Sequence, residues 1–311
     1  MKQFYARTNH RAFERQIARH ERRVARLQQI KKQLAAGQDS TTATHADNDD
    51  ETLPQLNFSE HYHISHSRKD HFNLTRWLAD NKDDKAVEVF HFVLRQCTAH
   101  TYCTVFQNFL PMLKDHLLRH ISGTPSEDFS NHDRRQLVIH KNQVFRHKTL
   151  QINFTTYDCR RDQDTINIGT HSDIMVLANP DEDPENSHPY WYARVIGIFH
   201  ATVQQVGSST SYENMDFLWV RWYGFDVQAR SGFKACRLHQ VGFLDSNDPG
   251  AFGFLDPHDL LRAVHLVPAF EFGKSSRLLS QSIARHKNEG HEDYQRYYIN
   301  MCVFYICHWL Y

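Results

Sequence analysis

The chain carries six cysteines but no C-x-x-C pair. Cys97, Cys103, Cys159, Cys236, Cys302 and Cys307 follow the spacing of neither a disulfide framework nor a zinc ribbon. That predicts a reducing compartment. Charge of one sign is also missing: 36 Lys and Arg balance 36 Asp and Glu, so any nucleic-acid or membrane partner has to be read by a local patch. The C-terminal apolar run "MCVFYICHWLY" falls well short of the roughly 20 residues that a membrane-spanning helix needs. The N-terminal "MKQFYARTNHRAFERQ" has no apolar centre and does not read as a secretory signal. There is no G-x-S-x-G elbow, Gly-rich phosphate loop or Cys/His nucleophile pattern. These absences predict an intracellular protein, nuclear or cytoplasmic, with no membrane partner, no cofactor, no metal and no familiar catalytic motif.

Bulky side chains, by contrast, are plentiful. Apolar residues make up 40% and aromatics 13% of 311 residues, far too much for a disordered chain and enough for one large domain or two small ones. The 23 histidines make net charge sensitive to mild acid.

Phe13, Ile17, Val24, Leu27 and Leu34 recur at helical spacing before Gly37, which predicts an amphipathic helix within residues 1–37. Its polar face holds Arg11, Arg15, Arg19, Arg22, Arg23, Arg26, Lys31 and Lys32 against only Glu14 and Glu21. Such a stripe fits phosphates, pairs as a coiled coil interrupted by His20, or is simply solvated. Residues 38–55 are small, polar and acidic, and read as a linker. Residues 56–122 read as a helical subdomain: "DHFNLTRWLADN" suggests a short helix, and Leu110, Leu113, Leu117 and Ile121 form a stripe with Pro111 near its start. After Gly123 the period falls to two. Seven short strands ("RQLVIH", "KTLQINF", "SDIMVLA", "WYARVIGIFHATV", "DFLWVRWYG", "RLHQVGF" and "AVHLVPAF") separated by Pro-, Gly- and Asn-rich turns predict a barrel or sandwich.

Three constellations carry chemistry. In "YDCRRDQDTINIGTHSD", Asp158, Asp162, Asp164 and Asp173 could gather round a divalent cation, as phosphoryl transfer requires. They crowd one segment, however, and Arg160 and Arg161 beside them favour a polar network that pins a loop. "HYHISHSRKDH" brings together His61, His63, His66 and His71, and an H-x-H pair on a strand can hold zinc. No cysteine or acid stands at a recognisable third-ligand spacing, so composition explains this cluster. Trp191, Tyr192, Trp219, Trp222 and Tyr223 lie on strands; at a barrel mouth they would cage a methyl-ammonium or stack on a base, and otherwise they are core. Alternation puts Phe217, Trp219, Arg221 and Tyr223 on one face and Leu218, Val220 and Trp222 on the other. In the preceding strand, Tyr190, Tyr192, Ile196 and Ile198 share a face opposite Trp191, Val195 and Phe199.

Along "NFTTYDCRRDQDTINIGTHSDIMVLA", "HPYWYARVIGIFHATV", "MDFLWVRWYG", "GFKACRLHQVGFLD", "FGFLDPHDLLRAVHLVPAF" and "YYINM", the chain resembles a large family in mushroom-forming fungi. Its members look like the C-terminal regions of Plavaka-type or related transposase-like reading frames. The resemblance is loose over 2–36 and close over 56–300. It implies a transposon-derived product whose catalytic transposase region and zinc finger lie upstream in full-length relatives. Two stretches depart from the family, 91–107 ("HFVLRQCTAHTYCTVFQ") and 301–311, and both look like translated introns that should pack poorly. From Asp173 to Phe270 the order of features also resembles a bromo-adjacent-homology (BAH) domain, which implies a chromatin- or protein-binding surface around the five aromatics.

The expected architecture is α+β. An N-terminal basic helix and a helical subdomain precede a mostly antiparallel, β-barrel-like and BAH-like domain over 123–300, with a trailing helix near "SRLLSQSIARHKN" and a tail at 301–311. The expected function is a non-catalytic module that binds DNA or a chromatin protein. The alternatives are a metal-dependent nuclease or transposase accessory domain using the clustered aspartates, and a non-functional relic.

Overall fold

The computed structural model describes residues 61–87, 90–93, 104–107, 109–123, 129–155, 161–178, 188–207, 211–226, 229, 231, 235–286 and 290–300, together with 18, 22, 23 and 26. Strands in chain order are β1 (Tyr62–His63), β2 (His71–Asn73), β3 (Phe90–Val93), β4 (Thr104–Gln107), β5 (Leu137–Ile139), β6 (Gln143–His147), β7 (Thr149–Thr155), β8 (Arg161–Asn167) and β9 (Asp173–Leu177). They continue as β10 (Tyr190–Gln205), β11 (Glu213–Phe225), β12 (Gln240–Phe243), β13 (Phe252–Leu255), β14 (Leu260–Ala263), β15 (Leu266–Pro268), β16 (Lys274–Ser275), β17 (Asp293–Tyr294) and β18 (Tyr297–Ile299). The helices are α1 (Leu74–Asp80), α2 (Phe109–Ser122) and α3 (Asn131–Gln136).

Two strands organise the rest. The sequences of β10 and β11 are β-branched and aromatic on both faces, so neither face can be left to water. They pair antiparallel from Tyr192↔Tyr223 to Val203↔Glu213. Around them an 11-stranded sheet runs β14-β9-β10-β11-β12-β18-β15, with β5 and β6 also on β10, β13 on β11 and β2 on β6. Every strand pairing in the described residues is antiparallel, and the large sheet curls into a half-barrel. A second sheet, β1-β7-β8, packs Leu150, Ile152 and Ile166 onto the Val195, Ile198, Leu218 and Val220 face. The opposite face is covered by α1 and α2, where Trp77, Phe109 and Trp219 stack edge-on around Leu113 and Leu117.

Alternation along β11 holds: Phe217 and Trp219 face the helices, while Leu218 and Val220 face the second sheet. Along β10 the expected phase fails halfway. A β-bulge between Val195 and Gly197 inserts one residue, so Ile198 joins Val195 while Phe199 joins Ile196 on the helical side. Glycine is required at 197, because a Cβ there would stand 2.3 Å from the Phe199 ring.

Both helices expected within residues 56–122 form. Asn73 caps α1 by accepting from the Arg76 N–H, and Pro111 sits in the first turn of α2. The segment also supplies β1 to the second sheet and β2 to the main sheet, so its helices lie directly on the β domain. Within 91–107, β3 and β4 pair only with each other. Residues 301–311 and the 38–55 linker lie outside the described residues.

The trailing helix is absent. Residues 276–286 run as turns, with Leu279 and Ala284 buried. Asp84 takes their polar groups, accepting from the Ser282 hydroxyl at 2.7 Å and the Ile283 N–H at 2.7 Å, while Arg285 donates to the Leu279 and Ser280 carbonyls. Tertiary hydrogen bonds thus replace the helical ladder. Of the N-terminal basic helix, only residues 18, 22, 23 and 26 are described, each helical.

A buried charge cluster ties this strap to the sheet. Asp293 accepts from Arg221 at 3.0 Å and from Arg285 at 2.7 and 3.1 Å, and the Arg221 guanidinium lies 3.8 Å over the Phe243 ring. Burial lowers the Arg221 guanidinium from its ordinary value, and Asp293 opposes that shift. Asp293→Asn therefore leaves two buried cations without a counter-ion. It should cost about 3–5 kcal/mol, read from urea unfolding.

On α2, burial pushes His116 down to about 4, outweighing the opposing Asp256 charge. The unfolded chain then binds a proton below about pH 6.5 that the folded chain refuses until about pH 4. Stability should fall across that window by up to about 1.4 kcal/mol per pH unit from this group. His116→Gln should flatten that part of the pH dependence of the urea midpoint.

Candidate functional site

Among the described residues, the acidic segment does not converge. Arg161–Asn167 is strand β8 rather than a loop, paired with β7 at Asp164↔Ile152 and Asp162↔Phe154. Asp164 accepts from Arg262 Nε at 2.6 Å and from the Ala263 N–H at 3.1 Å, and the Arg262 guanidinium stacks 3.4 Å over the Phe154 ring. Asp173, on β9, accepts instead from Arg194 at 2.8 and 3.1 Å and from the Tyr223 hydroxyl at 2.9 Å. Asp162 and Arg161 are exposed. Asp158 and Arg160 lie outside the described residues. Asp164 and Asp173 are each paired with an arginine, but these come from β14 and β10, 98 and 21 residues away in sequence. Charge pairing decides this: a half-buried carboxylate is satisfied by whichever guanidinium the sheet brings opposite it.

The five aromatics divide. Tyr192, Trp219 and Tyr223 are core, at 0%, 3% and 5% exposure, so no partner can reach them. Burial also raises the Tyr223 hydroxyl well above its ordinary range, and it acts as a donor to Asp173. Trp191 and Trp222 are half-buried and meet edge-on at 6.0 Å. Of the basic residues, Arg22 is partly buried and donates to the Ala178 carbonyl at 3.2 Å, whereas Arg23 and Arg26 are exposed. Arg11, Arg15, Arg19, Lys31 and Lys32 lie outside the described residues.

The densest chemistry stands elsewhere, at a histidine cluster over the β10–β11 ladder. His200 and Asp216 are cross-strand partners there. The turn between β1 and β2 carries His66 over them, its Nε2 2.9 Å from Asp216 Oδ1. The Tyr62 hydroxyl donates to Asp216 Oδ2 at 3.0 Å, and burial together with the Asp216 charge raises that phenol far above its ordinary value. On β6, His147 Nε2 stands 2.6 Å from His200 Nδ1, with the rings stacked. Burial, helped by His147 and His66, pushes His200 down to about 4; burial and His66 lower His147 as well. Both buried imidazoles are therefore neutral at pH 7. His66, His200 and Asp216 are the one group among the described residues placed to share a metal ion.

Of the four histidines in "HYHISHSRKDH", only His66 enters this cluster. His61 bonds the Leu260 carbonyl and faces His258, while His63 and His71 are exposed. The partners of His66 are 134 and 150 residues away in sequence, so local spacing holds no trace of them. No family model, curated protein or solved structure matches the chain.

The Asp164–Arg262 pair joins β8 of the second sheet to β14 at the edge of the main one, and about a fifth of each side chain is exposed. Asp164→Ala should cost about 1–2 kcal/mol in urea unfolding, well below the loss at Asp293.

Proposed function

We propose that the chain is a non-catalytic binding module, derived from a transposon, whose basic N-terminal residues contact nucleic acid. The observation that carries the reading is the dispersal of the acidic segment. Asp164 and Asp173 are each held by a different arginine, which leaves no shared carboxylate cradle among the described residues for the Mg²⁺ or Mn²⁺ of a nuclease. Exposed Arg23 and Arg26 support a phosphate-facing side, while Arg22, held by a backbone carbonyl, contributes less. That β9, β10, β11 and β15, in the chain order the BAH-like reading expects, belong to one curled antiparallel sheet supports that reading. In such a module the sheet is scaffold, and no helix among the described residues is long and apolar enough to cross a membrane.

Replacing Arg15, Arg19, Arg23 and Arg26 together by Gln should weaken duplex DNA binding at least tenfold and reduce the slope of log K against log salt. Unchanged affinity and slope remove the nucleic-acid reading, and capture of histone peptides in its place would move the partner to chromatin protein. Incubation with DNA and Mg²⁺ or Mn²⁺ should give no nicking. Nicking abolished by Asp164→Asn would restore the nuclease alternative.

A further inference from the structure

The histidine cluster has the composition, spacing and supporting bonds of a transition-metal site. One ring nitrogen each from His66 and His200 and one oxygen of Asp216 lie within 4.8 Å of one another. Around a tetrahedral zinc with bonds of about 2.0 Å, neighbouring ligand atoms stand about 3.3 Å apart. The separation between His66 Nε2 and Asp216 Oδ1 is already 2.9 Å, and the His66 side chain, 49% exposed, is free to turn about its χ angles to admit an ion. Two imidazoles and a single carboxylate suit zinc; Mg²⁺ and Ca²⁺ prefer all-oxygen shells.

The neighbours of these three side chains orient them as outer partners orient metal ligands. Tyr62 donates to Oδ2 of Asp216, which leaves Oδ1 for an ion. The 2.6 Å between His147 Nε2 and His200 Nδ1 is a hydrogen-bond length, too short for two ligands of one metal. When His200 Nδ1–H donates to His147 Nε2, His200 keeps a lone pair on Nε2 for coordination, and this imidazole–imidazole bond sets the tautomer that a ligating histidine requires.

We propose that His66, His200 and Asp216 bind one Zn²⁺, with water as the fourth ligand and with His147 and Tyr62 as positioning residues. The ion clamps the 64–70 turn onto the β10–β11 ladder. This site stands independently of the nucleic-acid reading, since none of its residues belongs to the basic helix.

The test uses the full chain stripped with EDTA and titrated with Zn²⁺ by calorimetry, with Co²⁺ as a spectroscopic probe of tetrahedral coordination. One equivalent should bind, and zinc at a hundredfold excess over Kd should raise the thermal midpoint by roughly 5 °C. His66→Ala should lose at least tenfold in affinity and the Co²⁺ bands, with an unchanged metal-free midpoint because His66 is exposed. Tyr62→Phe should weaken zinc about tenfold by freeing the Asp216 carboxylate. His63→Ala and His71→Ala, exposed histidines of the same segment, should bind as the wild type does. Wild-type affinity in both His66→Ala and Asp216→Asn, or no stoichiometric uptake by the wild type, overturns the site.

Discussion

The β10–β11 ladder is the constraint on which the molecule depends. Both strands are apolar or aromatic on both faces, so each face has to be roofed: the second sheet covers one, and α1 with α2 covers the other. The bulge at Val195–Gly197 keeps both roofs compatible with a single continuous strand. Before it, β10 turns its tyrosines toward the β12–β18 end of the sheet; after it, Phe199 and Val203 turn toward the helices. Without the extra residue one half of β10 would present the wrong side chains to its cover.

Polar groups inside this frame are paired across long sequence distances, and each pair fixes a join that apolar packing leaves loose. Asp293 holds the 276–286 strap to β11, Asp84 holds the same strap to the α1 end, and Asp164 joins the two sheets. Arg194 lies within 6 Å of the Tyr223, Phe243 and Tyr297 rings while it pairs with Asp173, so the charge is screened by aromatic faces as well as by its carboxylate. Beside α2, Asp256 of the turn before β14 shows the balance in one residue. Burial alone would raise its carboxyl, but hydrogen bonds from His120 and His258 hold it far below the usual range. That tie between α2 and the turn before β14 persists until strongly acid pH, when the depressed carboxyl finally protonates.

Much of this fold is legible locally. All seven strands expected after residue 123 form, and so do both helices expected within 56–122, because period-two and period-3.6 patterns report directly which side is covered. The strands that pattern reading misses, β1, β2, β3, β4, β6, β8, β13, β14, β16, β17 and β18, are short or polar, and pairing with a neighbour defines them. The helix expected over 276–286 fails for a related reason: Asp84 and Arg285 offer its backbone better-placed partners than its own turns would. The site was less legible than the fold. "HYHISHSRKDH" reads as a product of composition, and His66 is indistinguishable in sequence from His63 and His71.

By itself the sequence determined an antiparallel, aromatic-rich β domain preceded by two helices, because side-chain periodicity is a local consequence of backbone geometry. Only the tertiary structure decided which carboxylate meets which arginine, that three of five strand aromatics are core, and that His66 meets His200 and Asp216. Those outcomes depend on register and on one bulge. Each is a relation between segments as much as 150 residues apart or a one-residue shift in phase, and neither leaves a mark on the residues nearby.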